Sequence, residues 1–259
     1  MTEPQRIASR DNPLLVRLRR LSQDATAYRR VGQAWLEGDH LCSAYVQHGG
    51  RAAQAVFTDE AWQQPALRAL AAGAQRVVRV PPALFAGIGN LPSPVPMGFL
   101  VDLPGAAVLQ PAAPTLVLDR VQDAGNVGSM LRSAAAFGVR QVVALKGTAA
   151  LWAPKVLRAG MGAHFGLALF DCAEPALLDR LAVPLVATSP HAAASLPTAA
   201  LPWPCAWLLG HEGQGVDPAL QARCAHTVRI PQPGGGESLN VAAAAAVCLY
   251  ESARRAAVQ

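Results

Sequence analysis

The sequence predicts an α/β protein in which a small mixed domain precedes a larger domain built on a parallel β-sheet. After residue 107, short apolar runs alternate with helical stretches, the pattern of a Rossmann-like sheet covered by helices on both faces. Before residue 107, strand and helix signals also occur, in a shorter and less regular series. A single all-α or all-β architecture is therefore not expected.

The chain has enough apolar material for two packed units. It has 259 residues, of which 52% are hydrophobic, so disorder as the main state is excluded. Residues 103–114 are rich in proline, glycine and alanine and contain one polar side chain, Gln110, as a linker does. We therefore predict domains at 1–106 and 107–259.

The first predicted element is a short amphipathic helix that starts at Asn12-Pro13, with leucines at 14, 15, 18 and 21 at helical spacing. Residues 1–30 carry seven arginines against three acidic residues, a local net charge of +4. The exposed arginine face is either a solvated surface or an RNA-contacting surface. The candidate RNA-binding residues there are Arg6, Arg10, Arg17, Arg19 and Arg20.

The remaining elements follow from apolar runs bounded by turn residues and from helical periodicity. In the first domain we predict strands at 55–58, 76–80 and 98–102 and a helix at 60–72. In the second we predict strands at 115–119, 141–145, 184–188, 206–209 and 227–230, and helices at 126–137, 153–160, 218–224 and 238–255.

Composition narrows the classes of function. The net charge of +5 and a pI near 9.3 favour a polyanionic partner, and 20 of the 22 basic residues are arginines. Five scattered cysteines lack metal-type spacing, as do the six histidines, so we expect a reduced cytoplasmic protein without a metal site. No signal peptide and no uninterrupted apolar run of eighteen residues is evident, so no membrane role is expected.

The first of three unusual loops follows the strand that ends at 119. Gly125 and Gly128 permit close backbone approach, and Asn126 is expected to cap the next helix. Arg132 lies six positions further on, nearly two turns, so we expect it to project from a similar face as a possible anion clamp. A cap followed by a surface arginine is the alternative interpretation.

The other two loops are also rich in glycine. Residues 209–215 place three glycines around Glu212, either as a cradle for an adenosine or as an ordinary turn. Residues 230–240 precede an alanine-rich helix, for which Ser238 is the expected cap. Asn240 would then stand in the first helical turn, where asparagine is unfavourable, so something else should hold it there.

Together and in this order, the three loops closely resemble the motifs of the SpoU (TrmH) family of RNA ribose methyltransferases, in the SPOUT class. The likeness covers about residues 114–255, and the N-terminal part resembles the RNA-binding domain of ribosomal RNA members. The sequence departs from the family at Gly160, where serine is more frequent, and at His211, where asparagine or alanine is frequent. The matching motifs are Asn126-x-Gly128-x-x-x-Arg132, Leu209-Gly210-x-Glu212-Gly213-x-Gly215, Ile230-Pro231 with Glu237-Ser238-Leu239-Asn240-Val241, and Arg158-Ala159-Gly160-Met161-Gly162-Ala163.

The resemblance implies a deep C-terminal trefoil knot, an S-adenosyl-L-methionine cofactor that leaves as S-adenosyl-L-homocysteine, no metal, and a homodimer with active-site residues contributed across the interface. RNA is the implied partner, with ribosomal RNA favoured over transfer RNA. The implied catalytic residues are Asn126, Arg132, Glu212, Ser238 and Asn240. The implied cofactor-binding residues are Thr188, Leu209, Gly210, Gly215, Ile230, Ser238 and Leu239.

By the same resemblance, Arg132 activates the ribose hydroxyl. A guanidinium is a poor base because its pKa is above about 12, so either that pKa is perturbed or Arg132 orients the hydroxyl while another group takes the proton. Asn126 would position Arg132 or the ribose, and Glu212 would orient the arginine or other loop groups.

Two other functions remain in competition. A nucleotide-dependent oxidoreductase is disfavoured because 125–130 reads Gly-Asn-Val-Gly-Ser-Met and no GxGxxG follows the first strand. A non-catalytic RNA-binding or ribosome-assembly protein would explain the basic N-terminus, but it would not explain the polar residues of the three loops.

Overall fold

The computed structural model describes residues 4–89, 96–235 and 238–257. By its internal contacts the chain divides into two compact units: Met1–Gly105 together with Trp152–Phe165, and Ala106–Leu151 together with Gly166–Gln259. The assignment of separate functions to 1–106 and 107–259 stays a prediction.

The secondary-structure elements are as follows. The strands are Gln5–Arg6 (β1), Gln33–Glu37 (β2), Ala52–Thr58 (β3), Ala74–Val80 (β4), Met97–Asp102 (β5), Thr115–Leu118 (β6), Gln141–Leu145 (β7), Ala168–Ala173 (β8), Leu185–Thr188 (β9), Ala194–Ser195 (β10), Ala206–Leu209 (β11) and His226–Arg229 (β12). The α-helices are Pro13–Gln23 (α1), Ala27–Val31 (α2), Asp39–Gln47 (α3), Pro65–Ala69 (α4), Pro82–Ala86 (α5), Ala124–Ala136 (α6), Pro154–Gly160 (α7), Pro218–Gln221 (α8) and Val241–Ala256 (α9). Short 3₁₀ helices lie at Ala61–Gln63, Leu70–Gly73, Ala163–Gly166 and Pro175–Arg180.

The first unit contains a mixed sheet in the order β1-β4-β3-β5-β2, parallel except where β5 pairs with its neighbours β3 and β2. Helix α1 confirms the sequence pattern: Asn12 caps it, Pro13 opens it, and its four leucines are buried. The sequence did not predict β2 or α3, which lie next to one another in the chain.

The single helix predicted at 60–72 is wrong. The chain instead forms a 3₁₀ turn, the five-residue helix α4 and a second 3₁₀ turn. Pro65 is the reason, because a proline lacks the N–H of a helix interior and pushes the preceding residue towards extended angles. Gln64 has φ −84° and ψ 116°, so one helical segment ends before it and a new one begins at Pro65.

The second unit is an α/β structure with a wholly parallel sheet in the order β10-β12-β9-β11-β6-β7-β8, and the predicted fold class is confirmed. Every residue of β6, β7 and β11 is buried, which explains their continuous apolar runs. After β12 the chain returns across the sheet, and α9 packs against α6 and β11. The trefoil knot itself stays a prediction.

Helix α9 is fixed to the second unit along its length. Ala245, Cys248 and Leu249 are buried, and the hydroxyl of Ser252 accepts the indole N–H of the fully buried Trp207 at 2.9 Å. Near the end of the helix, the guanidinium of Arg255 donates to the carbonyl oxygens of Leu196, at 2.6 Å, and Ala199.

In the part of the chain described, no helix is long and apolar enough to cross a membrane.

Glu251 connects the end of α9 to this network. Its carboxylate accepts hydrogen bonds from Arg254 and Arg255 at 2.9 and 2.7 Å. The bond from Arg254 is the largest cause that lowers the pKa of Glu251 to about 2, with Arg255 acting in the same direction and burial opposing both. The carboxylate is thus charged at every pH at which the fold is ordinarily studied.

We predict that Glu251→Gln lowers the Tm at pH 7 by about 2–4 °C. Since the folded pKa is depressed, the stabilisation is present above the ordinary pKa of 4.5 and is lost as the pH falls towards about 2. The Tm difference between wild type and variant should therefore shrink over that range in calorimetric scans. Glu174→Gln, which removes an exposed ion pair with Lys146, is the control expected to leave Tm unchanged. An equal Tm difference at pH 7 and pH 2.5 would contradict the assignment.

Candidate functional site

The three predicted loops meet at the carboxyl edge of the parallel sheet. The first loop joins β6 to α6, the second follows β11, and the third leads from β12 into α9. The carboxyl ends of parallel strands share one edge, where open α/β sheets bind ligands. Strands β6 and β11 are direct neighbours, so the first two loops lie side by side.

One side chain from each loop joins a continuous chain of hydrogen bonds. Asn126 donates from Nδ2 to Oε1 of Glu212 at 3.2 Å, and its Oδ1 accepts from Nδ2 of Asn240 at 3.0 Å. Asn240 accepts at its own Oδ1 from the backbone N–H groups of Ala242 and Ala243, at 2.9 and 3.3 Å. We call Glu212, Asn126 and Asn240 the relay.

The polarity of the relay is fixed at both ends. A carboxylate only accepts hydrogen bonds, and the free N–H groups of a helix N-terminus only donate them. Each amide between these ends therefore has one orientation in which both of its polar atoms are satisfied. The relay therefore requires a carboxylate at position 212 and side-chain amides at positions 126 and 240.

The relay requires helix boundaries that differ from those predicted. Asp123, not Asn126, caps α6, because its Oδ1 accepts the N–H of Asn126 at 2.7 Å. The helix begins two residues earlier than expected, and the side chain of Asn126 is left free to join the relay. The predicted capping role of Asn126 is wrong.

The predicted cap of the closing helix is also wrong. Asn240, not Ser238, is the N-cap of α9, with φ −53° and ψ 139°, the extended angles that a cap requires. Asn240 is thus not an unfavourable residue inside a helix, and one side chain both caps α9 and reaches Asn126. Ser238 is exposed and precedes the helix, while the motif residue Glu237 lies outside the described residues.

Glu212 holds the first loop as well as the relay. Its carboxylate accepts the backbone N–H groups of Gln122 and Asp123, each at 3.2 Å, in addition to the amide of Asn126. Burial alone would raise the pKa of Glu212, but the hydrogen bonds outweigh it and the pKa lies below its ordinary value. Glu212 is therefore a charged acceptor dedicated to holding the loop.

A second set of contacts ties the same two loops together from the other side. The buried Asp119 accepts the N–H of Asp217 at 2.8 Å, and its two oxygens accept Nε and Nη2 of Arg120, each at 3.0 Å. Arg120 also donates to Oε1 of Gln214 at 3.2 Å. The sequence did not single out these residues, although an acid directly after an apolar strand is a signal that could have identified Asp119.

The second loop closes on itself. His211 and Gly215 exchange both of their backbone hydrogen bonds, at 3.0 and 2.8 Å. A Cβ at Gly210 would lie 2.2 Å from the backbone of Gly215 and Val216, so only glycine fits there. Both glycines predicted to bind the cofactor thus have a conformational role in shaping the loop.

The other predicted cofactor-binding residues stand at strand ends or in the third loop. Thr188 and Leu209 are the last residues of β9 and β11, and Ile230 directly follows β12. Leu239, in the third loop, is 41% exposed. Their backbone and apolar groups provide what an adenosine needs, namely hydrogen-bonding atoms and a hydrophobic contact.

Arg132 is not joined to the relay. Six residues correspond to about 600° around a helix, which is 240° after one whole turn is subtracted. Asn126 and Arg132 therefore project from different faces of α6, contrary to the expectation from the sequence. The side chain is exposed, and within residues 4–89, 96–235 and 238–257 it has no hydrogen-bond or ion-pair partner. Neither Asn126 nor Glu212 orients it through a direct bond.

The N-terminal arginines differ in how free their charges are. Arg6 is bound to Asp59 at 2.9 Å, and Asp59 also binds Arg79. Arg17 donates to Gln33, and Arg19 donates to the carbonyl of Arg10. Arg10 and Arg20 are exposed, and their side chains form no hydrogen bond or ion pair among the described residues. In the same part of the chain, no group of three or more His, Cys, Asp or Glu side chains could hold a metal ion.

Comparison with known proteins identifies RNA methyltransferases as relatives of this chain. The model of the SpoU rRNA methylase family matches residues 113–250. An uncharacterised tRNA/rRNA methyltransferase of Synechocystis is 33% identical, over 96% of this chain and 93% of its own length. A 23S rRNA guanosine 2′-O-methyltransferase of Bacillus subtilis is 31% identical, over 83% and 86%.

A solved structure has a similar fold over nearly the whole chain. The SpoU methyltransferase AviRb of Streptomyces viridochromogenes, in complex with AdoMet, superposes with a TM-score of 0.85 at 24% identity, over 96% of this chain and all of that one. At that identity the likeness shows the fold.

We predict that Asn126→Asp breaks the relay, because it places a second carboxylate against Glu212. Unfolding free energy should fall by about 1–3 kcal/mol in denaturant titrations. Adding Glu212→Gln should recover part of the loss, since a glutamine amide can donate to the new aspartate. Asn240→Asp keeps the helix cap but cannot donate to Asn126, so it should have a smaller effect. If the double variant is no more stable than Asn126→Asp alone, the relay does not bear on stability in this way.

Proposed function

This chain belongs to the SpoU rRNA methylase family, and from that premise we propose that it transfers the methyl group of S-adenosyl-L-methionine to a ribose 2′-hydroxyl of ribosomal RNA. The relay is the observation that carries the proposal, because it joins all three motif loops at the edge of the sheet where ligands bind. The Bacillus subtilis relative, named as a 23S rRNA 2′-O-methyltransferase, favours the substrate class.

The second and third loops would hold the methyl donor, and the residues there fit it. Gly215 exposes backbone groups of a closed turn, and Ile230 and Leu239 supply apolar surface. The buried Leu209 and Gly210 would contribute backbone atoms only. When bound, the donor supplies a sulfonium-activated methyl group. The protein has to align the ribose oxygen with that methyl group and exclude other geometries. The products are the methyl ether, S-adenosyl-L-homocysteine and one proton.

We assign Glu212, Asn126 and Asn240 to positioning the loops. Glu212 is a poor general base, because its carboxylate already accepts three hydrogen bonds and its pKa is lowered. Unlike these three residues, Arg132 has an exposed guanidinium that forms no hydrogen bond or ion pair within the described residues. We assign it to binding the RNA phosphate and orienting the hydroxyl, which a permanently charged, planar donor does well. Ser238 stays a candidate for contact with the nucleotide.

The first unit would bind the RNA through the exposed arginines of its N-terminal segment. Arg10, Arg17 and Arg20 are the strongest candidates, with Arg19 beside them. Arg6 is a weaker candidate, because its guanidinium is already bound to Asp59. Transfer RNA is the second candidate substrate, and the name of the Synechocystis relative allows either. We place the protein in the cytoplasm, where both RNAs are processed.

We also propose a homodimer that covers the outer surface of α9. Tyr250 and Val247 are 54% and 40% exposed, and the ring of Tyr250 packs edge to face against Phe137 at a centroid distance of 5.8 Å. Aromatic and aliphatic side chains exposed together on one helix are typical of an interface. An interface here would allow each protomer to contribute residues to the site of the other, as the resemblance implies.

We predict that Arg132→Ala reduces methyl transfer to ribosomal RNA by about 10²-fold or more, because the hydroxyl is no longer oriented. Transfer is measured with radiolabelled donor, and donor affinity, which should be unchanged, is measured by calorimetry. Arg140→Ala removes an exposed arginine of the same unit and is the matched control. Unchanged turnover in Arg132→Ala would refute the role. Mapping ribose methylation in cells with and without the gene separates ribosomal from transfer RNA.

For the dimer, we predict that Tyr250→Glu yields a monomer in size-exclusion chromatography with light scattering, since a buried carboxylate at an apolar interface is unfavourable. Val16→Glu is the control, because Val16 is similarly exposed, at 49%, but lies in the first unit. A monomeric wild-type protein, or a dimeric Tyr250→Glu variant, would show that this surface is not the interface.

A further inference from the structure

The imidazole of His211 sits inside the second loop and organises it from within. Its Nδ1 atom accepts the backbone N–H of Gly213 at 3.0 Å and that of Gln214 at 3.2 Å. The same residue exchanges two backbone hydrogen bonds with Gly215. Four hydrogen bonds of this short turn therefore depend on one residue.

This geometry specifies the protonation state of the ring. A nitrogen that accepts two N–H groups must carry a lone pair, so Nδ1 is unprotonated and the proton of the neutral ring lies on Nε2. In the imidazolium form both nitrogens carry a proton, and Nδ1–H would point at two other donors. The loop conformation seen here is therefore incompatible with a protonated His211.

The charged groups nearby do not favour the cationic ring in this conformation. Glu212 is turned towards the first loop, where it binds Gln122, Asp123 and Asn126. Asp119 is bound to Arg120, and Arg120 donates to the side chain of Gln214. Asp123 caps α6. In the described part of the chain, no carboxylate is within ion-pair distance of the His211 ring.

We propose that His211 is a positioning residue of the methyl-donor loop, whose neutral imidazole holds residues 210–215 in the conformation that binds the donor. The inference rests on the proposed function, because Gly210 and Gly215 are assigned to donor binding there. It follows that removing the acceptor at Nδ1 loosens the loop and weakens the donor complex.

The test compares affinity for S-adenosyl-L-homocysteine, measured by calorimetry at pH 7.5, in the full chain and its variants. All variants are measured under one buffer condition, so the comparison is between proteins.

Asparagine is the informative replacement at this position. Its Oδ1 can accept the same two N–H groups as an Asx turn. His211→Asn should therefore retain the affinity of the wild type. His211→Ala, which lacks any acceptor, should bind about tenfold more weakly, because two loop N–H groups lose their partner. His226→Ala, at an exposed histidine at the start of β12, should keep the wild-type affinity.

The outcomes separate this inference from the proposed function. If the folded wild type does not bind S-adenosyl-L-homocysteine, the proposed function fails. If it binds but His211→Ala binds as tightly as the wild type, or His211→Asn binds as weakly as His211→Ala, the inference about His211 is wrong and the proposed function stands. Circular dichroism establishes that each variant is folded.

Discussion

The side-chain amide of Asn126 is the group through which all three functional loops are connected. It donates to Glu212 on one side and accepts from Asn240 on the other, and neither bond can be reversed, because the ends of the relay have fixed polarity. The carboxylate of Glu212 extends this connection to the backbone of the first loop, and Asn240 extends it to the N-terminus of α9. The carboxyl edge is therefore held as one unit rather than as three independent turns.

The closing helix depends on this connection. Its beginning is fixed by Asn240, its middle by the hydrogen bond between Trp207 and Ser252, and its end by Glu251 and Arg255. Since α9 lies beside α6 and β11, displacing it would disturb both strands and loops of the site. The same few polar contacts therefore hold both the helix and the loops of the proposed site. Arg132, Val247 and Tyr250 take no part in these hydrogen bonds.

Most of the second unit was predictable because its strands are short, wholly buried and bounded by turn residues. The ranges expected for β7 and β11 agree with the structure at both ends. The first unit was less predictable, since periodicity across Pro65 suggested one helix and the local effect of the proline divided it. Within the site, the sequence identified Asn126, Glu212 and Asn240 but assigned two helix caps to the wrong residues. Which residue caps a helix depends on which one adopts extended backbone angles just before it. Several neighbouring polar residues in each loop could have adopted those angles, so the sequence did not decide between them.

By itself the sequence determined the fold class, the three loops and the family, because each follows from residue types at fixed spacing along the chain. Tertiary structure decided which loop residues bind one another: Asp119 to Asp217, Arg120 to Gln214, and the relay across residues 86 and 114 positions apart. These contacts join segments that are distant in the chain, so they depend on strand order and on the return of α9 across the sheet. Hydrogen-bond partners are set by positions in space, and no spacing rule along the sequence contains them.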